Sequence, residues 1–176
     1  MDSLFTIPVL QLKVFNFKKK KKELEKILKH YPEKRDQGMF LSNRNYTDPN
    51  LTLKFTEIFR EELEKITLEF QRNIGVNEVW SVSYTKGDYH IPHNHGSKGY
   101  AGILYLDHYP ESPQTIYLQP WNNEEDVNQF RYFKVEEGTM VVVPQFIIHF
   151  TKPNLSEKTK RIVGFDFLLT KPVAKS

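Results

Sequence analysis

Five of the chain's six histidines lie between residues 90 and 149, and their spacing indicates a metal site. His93 and His95 are separated by one residue, so on a β-strand their side chains would project from the same face. His149 follows on a later apolar segment that could pair beside them. Imidazole nitrogens bind iron, zinc, copper or nickel, and a non-haem iron site uses three facial protein ligands. One interpretation of this spacing is therefore a transition metal held by His93, His95 and His149.

A structural role for the same histidines is the alternative. A histidine pair of this kind also occurs on exposed loops. His149 is flanked by Phe146, Ile147, Ile148 and Phe150, as a buried core histidine would be. The residues alone leave both interpretations open.

Any further metal ligand must be a nitrogen or oxygen atom, because the chain contains no cysteine. This absence excludes disulfides, thiolate metal sites and cysteine nucleophiles. Asp88 and Asp107 are candidates for an alternative carboxylate ligand or for a hydrogen-bond partner that orients an imidazole. His90 and His108 are not expected to be ligands.

The histidines must be positioned by strands, because the chain from residue 79 onward consists of short apolar or alternating runs. Gly, Pro, Asn and Asp separate these runs, a pattern typical of a β-sandwich or barrel. The predicted strands are Trp80–Thr85, Ala101–Leu106, Thr115–Leu118, Phe130–Val135, Thr139–Val143, Phe146–Thr151 and Ile162–Thr170.

The first 78 residues have a different pattern, with one strand and two helices. Residues 4–15 are predicted to form a strand, and Pro8 favours an edge position. Apolar spacing predicts a helix over 19–30 and a second from Asp48, as its cap, to about Asn73, with Gly75 ending it. Residues 33–50 are predicted to be loop. We expect a single domain, 1–176, with this N-terminal part packed on a core over 79–170.

Several ordered motifs resemble known families. Two spacings match the cupin pattern: five residues separate Gly87 from His93, and Gly138 precedes Pro144 and His149 at the expected intervals. Gly99 and Tyr100 stand where a germin-like cupin has a glutamate. The sequence is more similar to the 2-oxoglutarate/Fe(II)-dependent oxygenases of phages and marine bacteria. The shared features are Trp80, His95-Gly-Ser97, the strand Ala101–Leu106, Gly138…Pro144…His149 and Arg161-Ile162 leading to Phe167.

This resemblance implies an α+β, mainly β fold: a double-stranded β-helix, jelly-roll or cupin-like, with N-terminal helices packed on it. It implies a hydroxylase-type enzyme that uses Fe(II), dioxygen and 2-oxoglutarate on a further substrate. Arg161 would bind the distal carboxylate of 2-oxoglutarate, since a guanidinium offers a planar fork for it. Lys158 or Lys160 could replace Arg161. Hydroxyls of Tyr84, Tyr105 and Thr115 would assist, or would only pack in the core.

One position departs from the wider oxygenase superfamily, which has Asp or Glu where His95 stands. Either His95 is a ligand, or Asp88 or Asp107 completes the site. A three-histidine set also favours an alternative, a cupin-like metal dioxygenase that does not use 2-oxoglutarate.

The charge distribution suggests a third, non-catalytic alternative, a β-barrel binding module. The net charge is +3, and much of the basic excess lies in Lys18–Lys22. This run could contact nucleic acid, although it fits a solvated helix start better. No apolar run approaches the roughly 20 residues that span a bilayer, and no signal-peptide pattern opens the chain. We therefore expect a cytoplasmic protein, or one of the host cytoplasm if phage-encoded.

Overall fold

The computed structural model describes residues 6–44, 48–122 and 125–172. Within these ranges it contains three helices and eleven strands. The helices are α1 (Phe17–Leu28), α2 (Pro49–Ile58) and α3 (Arg60–Phe70). The strands are β1 (Leu10–Lys13), β2 (Lys34–Asp36), β3 (Phe40–Ser42), β4 (Arg72–Tyr84), β5 (His90–His93), β6 (Tyr100–Asp107), β7 (Thr115–Asn122), β8 (Asn128–Arg131), β9 (Thr139–Pro144), β10 (His149–Thr151) and β11 (Lys160–Pro172).

The strands form two antiparallel sheets that face each other. The larger has the order β1-β9-β6-β11-β4-β3-β2, and the smaller has the order β5-β10-β7-β8. Strands that are consecutive in the chain therefore alternate between the sheets from β4 to β7. This arrangement is a double-stranded β-helix, and it confirms the predicted α+β, mainly β fold.

Both faces of the larger sheet are buried, which explains why its strands are nearly continuous apolar runs. One face packs against the helices: Val163, Phe165 and Phe167 of β11 are buried in one cluster with Leu24, Phe55 and Ile66 of the helices. The other face lines the barrel interior, and its buried residues include Trp80, Val82, Tyr84, Tyr105, Val141 and Ile162. Because side chains alternate along a strand, the residues of β11 from Lys160 to Phe167 alternate between these two environments.

The helix predicted from Asp48 to Asn73 is in fact two helices. Asp48 does cap α2, accepting a 2.8 Å hydrogen bond from the Asn50 backbone. The run breaks at Phe59 (φ −104°, ψ 24°), whose side chain is fully buried. Gln71, not Gly75, ends α3 in a left-handed conformation. The residues after it pair with β11, so sheet pairing overrides the local helical pattern.

Several other boundaries also differ from those predicted. The first strand covers only Leu10–Lys13, while residues 4 and 5 lie outside the described ranges; β1 is an edge strand, as Pro8 suggested. The predicted loop over 33–50 contains β2 and β3. Strand β8 ends at Arg131, and β10 begins only at His149. Strand β4 crosses the boundary expected between residues 78 and 79.

The Lys18–Lys22 run lies on α1 and is partly neutralised by ion pairs. Lys20 Nζ binds Glu61 and the buried Glu62 at 2.8 Å. Lys21 pairs with Asp107. These contacts attach α1 to α3 and to the end of β6. Of the helices in the described part of the chain, none has the length and apolar character to cross a membrane.

Candidate active site

The structure brings His93, His95 and His149 together inside the barrel. One ring nitrogen from each lies within 4.8 Å of the others. His93 ends β5 and pairs across the smaller sheet with His149, the first residue of β10. His95 lies in the loop after β5, held by a 2.9 Å hydrogen bond from its backbone N–H to the Gln145 carbonyl. The expectation that His93 and His95 share a strand is therefore wrong, but the loop still turns both rings inward.

Hydrogen bonds at Nδ1 hold all three histidines in the same tautomer. The Nδ1 atoms of His93 and His149 lie 2.9 Å and 3.1 Å from the carbonyls of Ile91 and Ile147. The Nδ1 of His95 lies 2.8 Å from Asp166. A carbonyl or a carboxylate only accepts, so each Nδ1 carries the proton. Each Nε2 therefore keeps its lone pair for a ligand.

Burial keeps two of these imidazoles, His93 and His149, uncharged at neutral pH. Burial, with a smaller contribution from the neighbouring histidines, lowers the pKa of His149 to about 3. Burial lowers the pKa of His93 as well. At neutral pH these two rings are the neutral donors that a metal cation needs.

Aromatic side chains and one arginine enclose the histidines. The His90 ring stacks on His93 at 3.8 Å between centroids, and the Trp80 ring lies 5.3 Å from His95. The Arg44 guanidinium covers Trp80 at 4.2 Å. His90 is outside the mutually close set, as expected. Arg44 is not part of any motif in the sequence, so its place beside the histidines was not predicted.

Arg161 does not reach this site. Its guanidinium lies on the helix side of the larger sheet, where it pairs with Asp107 and Glu25. The neighbouring Lys160 points into the barrel and is fully buried. The prediction that Arg161 lies at this site is therefore wrong, because adjacent strand residues face opposite sides of the sheet and Lys160 is the one that faces the barrel interior. Lys158 is not an alternative either: its Nζ lies 5.4 Å from the centre of the exterior Tyr109 ring.

Lys160 is a buried cation without a counter-ion. Its Nζ donates to the Pro113 carbonyl at 2.7 Å and to the Thr115 hydroxyl at 3.4 Å. It lies 5.3 Å and 5.5 Å from the ring centres of Tyr84 and Tyr105. No carboxylate pairs with it in the described part of the chain. Burial lowers the pKa of Lys160 to about 7, so the interior disfavours the charge as it stands.

The predicted residues Tyr84, Tyr105 and Thr115 all surround this lysine. Tyr84 pairs with Lys160 across β4 and β11, and all three side chains are buried. The Tyr117 hydroxyl is buried beside that of Tyr105 without a well-formed hydrogen bond. These groups offer several hydrogen-bond donors to an anion.

The two predicted carboxylates do not approach the histidines. Asp107 pairs with Lys21 and Arg161 on the helix side. Asp88 binds Arg35 and the backbone and hydroxyl of Thr85. The carboxylate that does contact the cluster is Asp166, a charged residue in the apolar run of β11. That irregularity was the available sequence signal.

A narrow cavity of about 30 Å³ connects the histidine cluster to the lysine's neighbours. Thr115, Thr151 and Tyr84 line it together with the three histidines. This volume holds roughly one or two water molecules, so an organic ligand would have to displace side chains. A larger cleft of about 650 Å³ lies under α1, beside Arg161, on the opposite side of the sheet.

Comparison of the sequence with known proteins finds no matching family model and no matching curated protein. Comparison of the structure does find matches. An oxidoreductase of the 2OG-Fe(II) oxygenase family from Burkholderia pseudomallei has a TM-score of 0.63 at 8% identity, covering 94% of this chain and 86% of that one.

Two further solved structures are similar over nearly the whole chain. HygX from Streptomyces hygroscopicus, solved with nickel, 2-oxoglutarate and hygromycin B bound, has a TM-score of 0.67 at 15% identity, covering 96% of this chain and 84% of that one. A prolyl-4-hydroxylase from Pseudomonas putida has a TM-score of 0.62 at 12% identity, covering 93% of each chain. At such identities the likeness shows a common fold, the double-stranded β-helix.

Proposed function

We propose that this chain is a 2-oxoglutarate- and Fe(II)-dependent oxygenase, with His93, His95 and His149 as the metal ligands. The observation that carries the proposal is the pairing of two features in one barrel. Three imidazoles present free Nε2 atoms at one end, and a buried, uncompensated Lys160 lies beyond them. A dicarboxylate that chelates the metal at one end needs a cation for the other. The 2-oxoglutarate bound in HygX is an example of such a ligand in this fold.

The donor chemistry fits both ligands. Three imidazole ligands suit Fe(II) and leave further coordination positions open. The Lys160 ammonium, with the hydroxyls of Thr115, Tyr84 and Tyr105, would bind the distal carboxylate through charge-assisted hydrogen bonds. Bound iron would supply the oxidation of a C–H bond by dioxygen, coupled to decarboxylation of 2-oxoglutarate. The protein's part is to orient the ligands and to exclude water.

The narrow cavity limits how 2-oxoglutarate can enter. We infer that its binding moves the side chains around Tyr84 and Thr115 apart, while the histidines keep their hydrogen bonds. The dioxygen and C–H substrate would approach from the Arg44 side, because that residue lines the cavity and is about a third exposed. The kinship with enzymes of phages and marine bacteria, and the cytoplasmic location, remain proposals from the sequence.

A second candidate is a three-histidine dioxygenase that does not use 2-oxoglutarate. The absence of a carboxylate at position 95 favours it. It leaves the buried Lys160 without a partner, whereas the first candidate supplies one. The two functions differ in whether 2-oxoglutarate binds.

The test begins with anaerobic Fe(II) titration of the wild-type protein, His93→Ala and His149→Ala. We expect binding in the wild type and its loss in both variants. His30→Ala is the matched control, since His30 lies outside the barrel at the end of α1. Equal binding in every variant would contradict both enzymatic candidates and favour a binding module.

The second stage measures 2-oxoglutarate binding to the iron-loaded protein by the charge-transfer absorption of the chelate. Lys160→Met should weaken binding roughly 30-fold or more, because truncating one side of a buried charge pair costs about 2 kcal/mol or more. Methionine fills the lysine's space, so this variant is expected to fold. Arg161→Met, on the other side of the sheet, should bind normally. If Arg161→Met lost binding and Lys160→Met did not, the anchor assignment would be wrong.

A further inference from the structure

Position 95 holds a histidine in place of a carboxylate, but the carboxylate of Asp166 accepts a hydrogen bond from that histidine. Asp166 lies on β11 between Phe165 and Phe167 and is 3% exposed. Its two oxygens lie 2.8 Å and 3.1 Å from the Nδ1 of His95. A carboxylate is rarely buried without a strong partner. His95 is therefore the main hydrogen-bond partner of the buried Asp166 carboxylate.

His95 differs in this respect from the other two histidines. His93 and His149 donate to neutral backbone carbonyls of Ile91 and Ile147. Only His95 donates to a charged acceptor. A charge-assisted hydrogen bond is shorter and roughly twice as strong as a neutral one. It also raises the electron density on the far nitrogen of the ring.

Arg44 and Trp80 hold this pair in place. The Arg44 Nη2 lies 3.8 Å from an Asp166 oxygen and 3.3 Å from Glu78. The same guanidinium stacks on Trp80, and Trp80 packs on the His95 ring. Arg44 thereby contacts both Asp166 and Trp80, the first by charge and the second by stacking.

We propose that Asp166 is a positioning residue that orients His95 and strengthens its Nε2 as a ligand. The negative charge that other members of this superfamily place on the metal itself acts here through an imidazole. Arg44 supports Asp166 from the mouth of the cavity. This inference rests on the proposed metal site, and it explains how a three-histidine set can serve it.

The test compares Asp166→Asn with Glu78→Gln in the full-length protein, using Co(II) as the probe. Asparagine keeps the size and the acceptor but removes the charge. Loss of an outer hydrogen-bond partner typically lowers metal affinity 10- to 100-fold, and we expect that range for Asp166→Asn, with a shifted Co(II) absorption spectrum. Glu78→Gln removes the other carboxylate beside Arg44 and should change neither. Arg44→Gln should give a smaller loss than Asp166→Asn.

The outcomes separate this inference from the proposed function. If the wild type binds no Co(II) or Fe(II), the metal site itself is wrong. If the wild type binds and Asp166→Asn binds equally with the same spectrum, only the role of Asp166 is overturned.

A measurement on the wild type covers the case in which Asp166→Asn fails to fold. In the metal-free protein, the Nδ1 proton of His95 should resonate further downfield than those of His93 and His149 in the NMR spectrum. An unprotonated Nδ1 on His95, or a resonance like the other two, would contradict the proposal.

Discussion

At the scale of single residues, the buried Lys160 lowers the stability of the ligand-free protein. A fully buried ammonium without a counter-ion destabilises the ligand-free fold, and replacement by an apolar residue would usually relieve that cost. A lysine at this buried position has a physical reason if an anion binds to it. Such a trade of stability for function is common at binding sites.

The pKa of Lys160 predicts a pH dependence for 2-oxoglutarate binding. In the ligand-free protein burial lowers this pKa to about 7, and a bound carboxylate would raise it. Below pH 7 the ammonium is charged in both states, so the affinity is independent of pH. Above pH 7 binding must take up a proton, so the dissociation constant should rise about 30-fold between pH 6 and pH 8.5.

Isothermal titration of the metal-loaded protein at these two pH values measures the effect. Lys160→Arg is the matched control, because a guanidinium stays charged throughout this range. Its dissociation constant should be nearly constant. The same pH slope in both proteins would assign the titration to another group.

At the scale of elements, strand β11 connects most of the site. Its interior face presents Lys160 to the proposed carboxylate, Gly164 to Trp80 and Asp166 to His95. Its exterior face contributes Val163 and Phe165 to the contact with the helices. A shift of this strand by one residue would exchange the two sets.

Gly164 on β11 has no room for a side chain. A Cβ there would lie 2.5 Å from the Trp80 ring, which is itself buried against His95. We expect Gly164→Ala to lower the free energy of unfolding by about 1–3 kcal/mol, as overpacking does. It should also weaken metal binding, because Trp80 must move.

Urea denaturation and Co(II) titration measure these two effects. Gly75→Ala is the control on β4, since the nearest atom to a Cβ there is 3.9 Å away. Its stability should change by less than about 0.5 kcal/mol. Equal stability of the two variants would show that the Trp80 contact is not restrictive.

At the scale of the whole molecule, the larger sheet has two buried faces, and the helices cover one of them. A chain restricted to residues 72–172 would contain every barrel strand from β4 to β11 but would expose Leu104, Val142 and Phe165 to water. Exposure of that face removes a large part of the apolar burial on which folding depends. We therefore expect this fragment to lack a cooperative unfolding transition.

Differential scanning calorimetry of the fragment and of the full chain tests this expectation. The full chain should unfold in one transition with the heat-capacity change of a single domain. A cooperative transition in the fragment would show that the barrel folds without α1, α2 and α3.

Local sequence information was enough to predict much of this molecule. The apolar alternation predicted most barrel strands, and Asp48 was predicted as a helix cap. These features depend on side-chain period and turn chemistry within a few residues. The double-stranded β-helix was implied by the resemblance of the ordered motifs to known oxygenases. Spacing also selected the three histidines that the structure brings together.

The tertiary structure alone decided which residues complete the site. Lys160 and Arg161 are both basic and adjacent, and only the register of β11 against β4 and β6 determines which one enters the barrel. Asp166 reaches His95 across 71 positions of sequence. These contacts depend on strand pairing between distant segments, and a local pattern carries no information about that pairing.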